Sequence, residues 1–188
     1  MAELAEAEAR DMLRRFPDRA AAHNALGMAQ HDLNRLAEAA NHFRGALFHD
    51  PSFAPAWINL GLVRHKQGAL TDAEACHRAA LRLGADPATV GANLGLALLE
   101  QGRAEDAETA CRWALGGPAD RAARINLAMT LLSLGRLAEG WDAYEARYDP
   151  ADLPAPPLTD LAQAVGRTVL VRAEQGFGDT LQFCRYVS

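Results

Sequence analysis

The sequence predicts an all-α protein, a right-handed α-solenoid of helix-turn-helix repeats, followed by a βα fragment that opens a truncated α/β domain. Three observations carry this reading. One pattern recurs at spacings of 34, 34 and 33 residues. The composition suits close-packed helices: 49% of the 188 residues are apolar but only 6% aromatic, and about a fifth are alanine, the strongest helix former and small enough to let helix axes approach. The pattern then stops near Tyr148, where prolines lead into an apolar run and a glycine loop.

In chain order, residues 1–19 read as helix B of a partial unit that Phe16-Pro17 closes. Four units follow at 20–53, 54–87, 88–120 and 121–148. They align from His23, Trp57, Gly91 and Arg124. A leucine-small pair recurs in each: Leu26-Gly27, Leu60-Gly61, Leu94-Gly95 and Leu127-Ala128. The small residue lets helix A cross helix B closely. Seven positions on stand Asn34, Gly68, Gly102 and Gly135, residues able to end helix A at positive φ. Ala39, Ala73, Ala107 and Gly140 then receive the crossing on helix B. Phe43, His77, Cys111 and Tyr144 are expected to fill the layer between repeats, and Trp57, Trp113 and Trp141 to pack. Glu38, Asp72, Glu105 and Glu139 suit the positive end of the helix B dipole. Pro51 and Pro87 fall where helices must stop.

Length, turn and small-residue pattern together resemble the tetratricopeptide repeat over Ala20 to about Tyr148. Departures are His23, Gly91 and Arg124 where Trp57 has the more usual tryptophan, Ala128 for glycine, and a third unit one residue short near Gly116-Gly117-Pro118. The resemblance implies a protein- or peptide-binding module.

Helical geometry places the binding surface. At 100° per residue, the arc of helix A facing away from helix B carries Ala25, Met28 and Asp32 in the first unit. Its equivalents are Asn59, Leu62 and Lys66, then Asn93, Leu96 and Glu100, then Asn126, Met129 and Ser133. In a stacked solenoid this arc lines the concave groove. Carboxamides both donate and accept, so Asn59, Asn93 and Asn126 suit an extended peptide backbone of any sequence. Met28, Leu62, Leu96 and Met129 offer adaptable apolar contact. Unit one has Ala25 in the asparagine register, and the neighbouring Asn24 is the partial substitute. Similar repeats of O-linked N-acetylglucosamine transferases hold protein substrates with such an asparagine ladder. The alternative is that these asparagines are merely polar residues on a solvated face. A clamp for acidic tails is not expected, since Lys66 is the only lysine.

The formal charge of −5 makes no general case for nucleic acid. The start of the sequence lacks the pattern of a secretory signal, and no run approaches the ~18 apolar residues of a membrane span. Cys76, Cys111 and Cys184 form neither a disulfide framework nor a zinc set, and the six histidines lack metal-ligand spacing. No cofactor or metal is expected, and the expected location is cytoplasmic.

After the repeats, Asp149 to Pro157 holds four prolines in nine residues and reads as a stiff linker. Residues 158–188 continue with an amphipathic piece from Leu158, an apolar strand from Thr168 to Arg172, and the loop AEQGFGD before a helical run. Gly176 and Gly178 would let that loop approach a phosphate or sugar, with Asp179 capping the helix. The strings GWDAYEARY and TVLVRAEQGFGDTLQFCRY resemble the junction of bacterial tetratricopeptide-repeat glycosyltransferases, whose catalytic domain is similar to heptosyltransferases. That resemblance implies that Asp179 is a candidate base in a full-length parent. One βα unit is not a two-domain transferase, so no catalysis is expected of these residues alone. The expected function is recruitment of an acceptor protein or peptide; the alternative is a stand-alone scaffold that assembles proteins, itself included, with no sugar chemistry.

Overall fold

The computed structural model describes residues 2–117 and 120–145. These form nine helices: α1 (Ala2–Arg15), α2 (Ala20–Asp32), α3 (Leu36–His49), α4 (Ala54–Lys66), α5 (Leu70–Arg82), α6 (Pro87–Glu100), α7 (Ala104–Trp113), α8 (Asp120–Ser133) and α9 (Leu137–Glu145). No strand occurs among the described residues. The proline linker and the βα reading, with Gly176, Gly178 and Asp179, lie outside them.

Each even-numbered helix (A) packs on the odd-numbered helix (B) that follows. The turn between them is the same four times. Asn34, Gly68, Gly102 and Gly135 take φ of 59°, 75°, 77° and 76°. The next residue donates its N–H back across the turn: Arg35 to the Gln30 carbonyl at 2.8 Å, Ala69 to Arg64 at 2.9 Å, Arg103 to Leu98 at 3.0 Å and Arg136 to Leu131 at 2.9 Å. This closure satisfies carbonyls that the helix end would otherwise orphan. Side-chain caps are scarce by contrast. Asp86 caps α6 through the Ala88 N–H, while the residues preceding α2, α3, α4, α5 and α7 make no such bond. Packing therefore holds these helices more than capping does.

The small residues stand where helix meets helix. A Cβ added at Gly27 would lie 2.6 Å from the Phe43 ring, at Gly61 2.5 Å from His77, and at Gly95 2.3 Å from the Cys111 sulfur. Phe43, His77 and Cys111 thus press on the glycine of their own unit, and Phe43 and Cys111 also fill the layer to the next one, beside Leu60 and Val63 and beside Leu127 and Leu131. Each meets a glycine well back along the chain because the αL turn folds helix B straight onto helix A. Gly91, where Trp57 stands one unit earlier, lets backbone approach backbone: its added Cβ would sit 2.4 Å from the Ala110 carbonyl oxygen.

Neighbouring units are joined in two ways. Adjacent A helices touch (α2 with α4, α4 with α6, α6 with α8), whereas no two B helices do among the described residues. The A helices therefore form the inner wall and the B helices fan outward. A buried glutamate also clamps three of the junctions. Glu6 takes Arg35 at 2.8 Å and Arg10 at 2.6 Å, Glu74 takes Arg103 at 2.7 Å and Arg78 at 2.5 Å, and Glu108 takes Arg136 at 2.6 Å and Arg112 at 2.7 Å. One arginine comes from the glutamate's own helix and the other from the turn of the next unit. Arg103 and Arg136 additionally hold Asp106 and Glu139. Asp106, not Glu105, is accordingly the register partner of Asp72 and Glu139. At the fourth junction both clamp positions are alanine, Ala40 and Ala69, and the contact is an apolar cluster of Ala39, Ala40, Phe43, Leu60, Val63 and Cys76.

Two tryptophans depart from expectation. Trp57 is half-buried and donates from Nε1 to the Pro51 carbonyl at 3.0 Å. Trp113 and Trp141 are instead 45% and 56% exposed. Trp113 ends the shortened α7, and Trp141 occupies the register position of Glu74 and Glu108, the one that faces a following unit.

Candidate functional site

The inner wall presents the residues that helical geometry assigned to it. Met28 and Met129 are 49% and 51% exposed, and Leu62 and Leu96 between them are half-buried. The four lie in one register on successive A helices and make an apolar strip. Asn59, Asn93 and Asn126, one turn earlier, are half-buried beside it. One turn later stand Asp32, Lys66, Glu100 and Ser133.

The amide row is not uniform. Asn59 Nδ2 donates to Asn24 Oδ1 at 2.9 Å, and Asn126 Nδ2 donates to the Ala92 carbonyl at 2.9 Å. Asn24 and Ala92 occupy the same register position, so both bonds make the same tie between adjacent A helices. Asn24 is only 8% exposed and directs its own Nδ2 to the Met28 sulfur at 3.5 Å. It therefore supports the wall rather than substituting in the groove. Asn93 makes no side-chain hydrogen bond among the described residues.

Two histidines flank the charged row. His65 Nε2 lies 3.0 Å from Glu100 Oε2 of the next unit, and His31 Nδ1 lies 3.3 Å from Asp32 Oδ1. Asp32, Lys66 and Glu100 alternate in sign, so the groove carries no strong field of either sign. The repeat register marks His31 and His65 as equivalent positions but gives no sign of the carboxylate partner in the following unit.

No group of three or more potential metal ligands with suitable geometry occurs among the described residues. Three histidines do gather where α2 meets α3. His42 Nδ1 and His23 Nδ1 are 3.4 Å apart, His23 Nε2 is 3.0 Å from the Pro17 carbonyl, and the His49 ring stacks on His23. Burial, then the charge of His23, lowers the His42 pKa below its ordinary value, with Arg10 adding and Glu38 opposing. Cys76 and Cys111 are buried, and burial pushes both thiols up to about 11. They are protonated near neutrality and poor nucleophiles. No helix among the described residues is long and apolar enough to cross a membrane.

The tetratricopeptide-repeat pattern matches residues 2–52, 32–89 and 92–153, most of the sequence. The chain belongs to the tetratricopeptide repeat family. Protein FlbA of Caulobacter vibrioides is 38% identical over 78 residues, which are 36% of this chain and 13% of FlbA. The chain thus spans about an eighth of that relative's length. Among solved structures, YrrB, described as a TPR protein with an unusual peptide-binding site, superposes with a TM-score of 0.66 at 22% identity, covering 74% of this chain and 72% of YrrB. TTC0263, a thermophilic TPR protein of Thermus thermophilus, gives 0.66 at 21% identity over 87% of each chain. MamA gives 0.67 at 17% identity, covering 91% of this chain and 89% of MamA. At these identities the likeness is one of fold.

Proposed function

We propose that the inner wall binds an extended peptide segment with mostly uncharged side chains. The observation that carries this is the uninterrupted strip Met28–Leu62–Leu96–Met129, open to solvent beside a row of carboxamides. Apolar side chains of the ligand would lie on the strip while its backbone faces the amides. The alternating signs of Asp32, Lys66 and Glu100 favour neither an acidic nor a basic ligand. Leu62→Arg combined with Leu96→Arg places two charges on the strip at half-buried positions outside the helix A–helix B contact. Anisotropy of a fluorescein-labelled peptide alternating leucine and serine is expected to show at least a tenfold loss of affinity, with melting close to that of the native chain. Undiminished binding by the double variant would remove the strip from the account.

The finer reading is that these repeats recruit the acceptor of a bacterial glycosyltransferase in the cytoplasm. It rests on the sequence strings around Tyr148 and on AEQGFGD, with Gly176, Gly178 and Asp179. Sugar transfer by the protein made from its own locus, lost on Asp179→Asn, supports it; no transfer removes it. The second reading, a stand-alone assembly scaffold, is favoured by Leu137 and Trp141, one turn apart and both exposed on α9 in the register by which α5 and α7 meet the next unit. Light scattering showing a discrete dimer that Trp141→Glu dissociates would favour the scaffold.

A further inference from the structure

We infer that the edge of the solenoid where the B helices end docks on an anionic lipid surface. The inner wall plays no part in this, so the inference stands or falls apart from the peptide reading. Every unit makes the same two turns, and α1, α3, α5 and α7 therefore all end on one side. Large apolar side chains are exposed there: Phe16 just after α1, Phe48 in the last turn of α3, Leu83 just after α5, and Trp113 and Leu115 at the end of α7. Phe48 is 83% exposed, more than any other large apolar side chain among the described residues.

Arginines stand among them. Arg14 on α1 and Arg82 on α5 occupy the register position of Phe48 on α3, so one row reads arginine, phenylalanine, arginine. Arg19 lies over the Phe16 ring, 5.1 Å from its centroid, and Arg121 stands in the first turn of α8. Nearby Arg15, Arg78, Arg112 and Arg124 are paired with carboxylates, whereas these four make no ion pair among the described residues. The aspartates of this edge are mostly committed: Asp11 to Arg15, Asp50 to Ser52, Asp86 to the first turn of α6, and Asp120 to Gly116 and Arg124. Asp18 makes no such bond. Around the A-to-B turns the balance reverses. Asp32, Glu38, Asp72, Glu100, Asp106 and Glu139 gather there, and Arg35, Arg103 and Arg136 are held by glutamates. The net charge of −5 thus hides two unlike edges, one of which offers unpaired cations.

A guanidinium beside an exposed ring or leucine suits a bilayer interface, where the apolar group enters at headgroup level and the cation meets lipid phosphate. A protein partner needs a contiguous apolar core. Here most of the apolar side chains come from different units, with arginines between them. A lipid surface takes each side chain singly and asks for no shape complementarity. The contact is peripheral, and no helix crosses.

The test is cosedimentation of the full chain with phosphatidylcholine vesicles, either pure or containing about a third phosphatidylglycerol. Partition into the anionic vesicles is expected to be at least about tenfold stronger, and to weaken as salt is raised. Arg14→Glu combined with Arg82→Glu should lose at least about tenfold, and Phe48→Ser about fivefold. All three positions are exposed, so both variants should melt like the native chain. Leu4→Ser, which removes an exposed leucine from the other end of α1, should bind as the native chain does. Equal pelleting with both vesicle types, pelleting with neither, or undiminished binding by both edge variants overturns the proposal. A dimer in light scattering that Phe48→Ser dissociates would assign the edge to a second copy of the chain and overturn it as well.

Discussion

Helices α3 and α5 hold the same place in successive units and fill two equivalent positions with opposite chemistry. In α3 the residue pressed on the helix A glycine is Phe43, and the residue facing the next unit is Ala40. In α5 these are His77 and Glu74. Phe43 is satisfied by contact alone. His77 is fully buried with neither ring nitrogen hydrogen-bonded, and burial, with a smaller effect of His65, pushes its pKa down to about 4. Ala40 lies in an apolar junction whose other clamp position is Ala69, while Glu74 meets Arg103 across a charged one. Burial works to raise the Glu74 carboxyl, but hydrogen bonds, chiefly from Arg103, outweigh it and hold the group below its ordinary value. The backbone is indifferent to the choice; what matters is that both sides of a junction change together. A buried carboxylate without its arginine, or the reverse, costs more than either matched pair.

The comparison is most sharply tested by acid. The unfolded His77 imidazole titrates near 6.5 and the folded one near 4, so the unfolded state binds more protons between these values. Stability should fall as pH drops through that window, by about 3 kcal/mol when complete. Urea denaturation across pH 7 to 4 measures it. His77→Phe, which copies α3, should abolish that slope and add about 1 kcal/mol at pH 7 by removing the unpaired ring nitrogens. An unchanged slope in His77→Phe would assign the acid sensitivity elsewhere.

Half a clamp placed in the apolar junction is next in size. Ala40→Glu should destabilise by about 2 kcal/mol, with Arg44 one turn on giving partial relief. Adding Ala69→Arg should restore most of the loss, and a double variant no better than the single one would break the pairing argument. In the charged junction, Arg103→Ala should lower the melting temperature by about 4 °C, and Glu74→Ala added to it should recover at least half. That clamp also has a pH signature: the lowered Glu74 pKa gives stability present above its ordinary 4.5 and lost as pH falls through the lowered folded value. The smallest expected effect concerns the bond that joins the two compared units directly. Asn59→Ala breaks the tie to Asn24 and should cost about 1 kcal/mol in urea denaturation.

Much of this fold is legible in the linear pattern because its rules are local. Asn34, Gly68, Gly102 and Gly135 mark turns whose closing bonds span five residues, and the leucine-small pairs mark crossings a fixed distance either side. The inner strip is legible for the same reason, since Met28, Leu62, Leu96 and Met129 follow from helix periodicity and repeat length. The clamps are visible in the sequence only as scattered charges: Glu74 and Arg103 are 29 residues apart, and nothing short-range links them. Trp113 and Trp141 look like packing residues until the shortened α7 and the exposure of both rings are seen. The amide row is the subtlest case. Asn59, Asn93 and Asn126 are the same residue in the same register, yet two are tied and one is free.

By itself the sequence determined the repeat, its length, its turns, its crossings and the face that points inward, because each depends on residue size, φ preference and a period within one unit. Tertiary structure decided which charges pair, which imidazole is buried without a partner and which asparagine keeps its hydrogen-bonding groups. Those outcomes depend on atoms brought together from neighbouring units, far apart in the chain, at distances set by how closely one helix lies on the next.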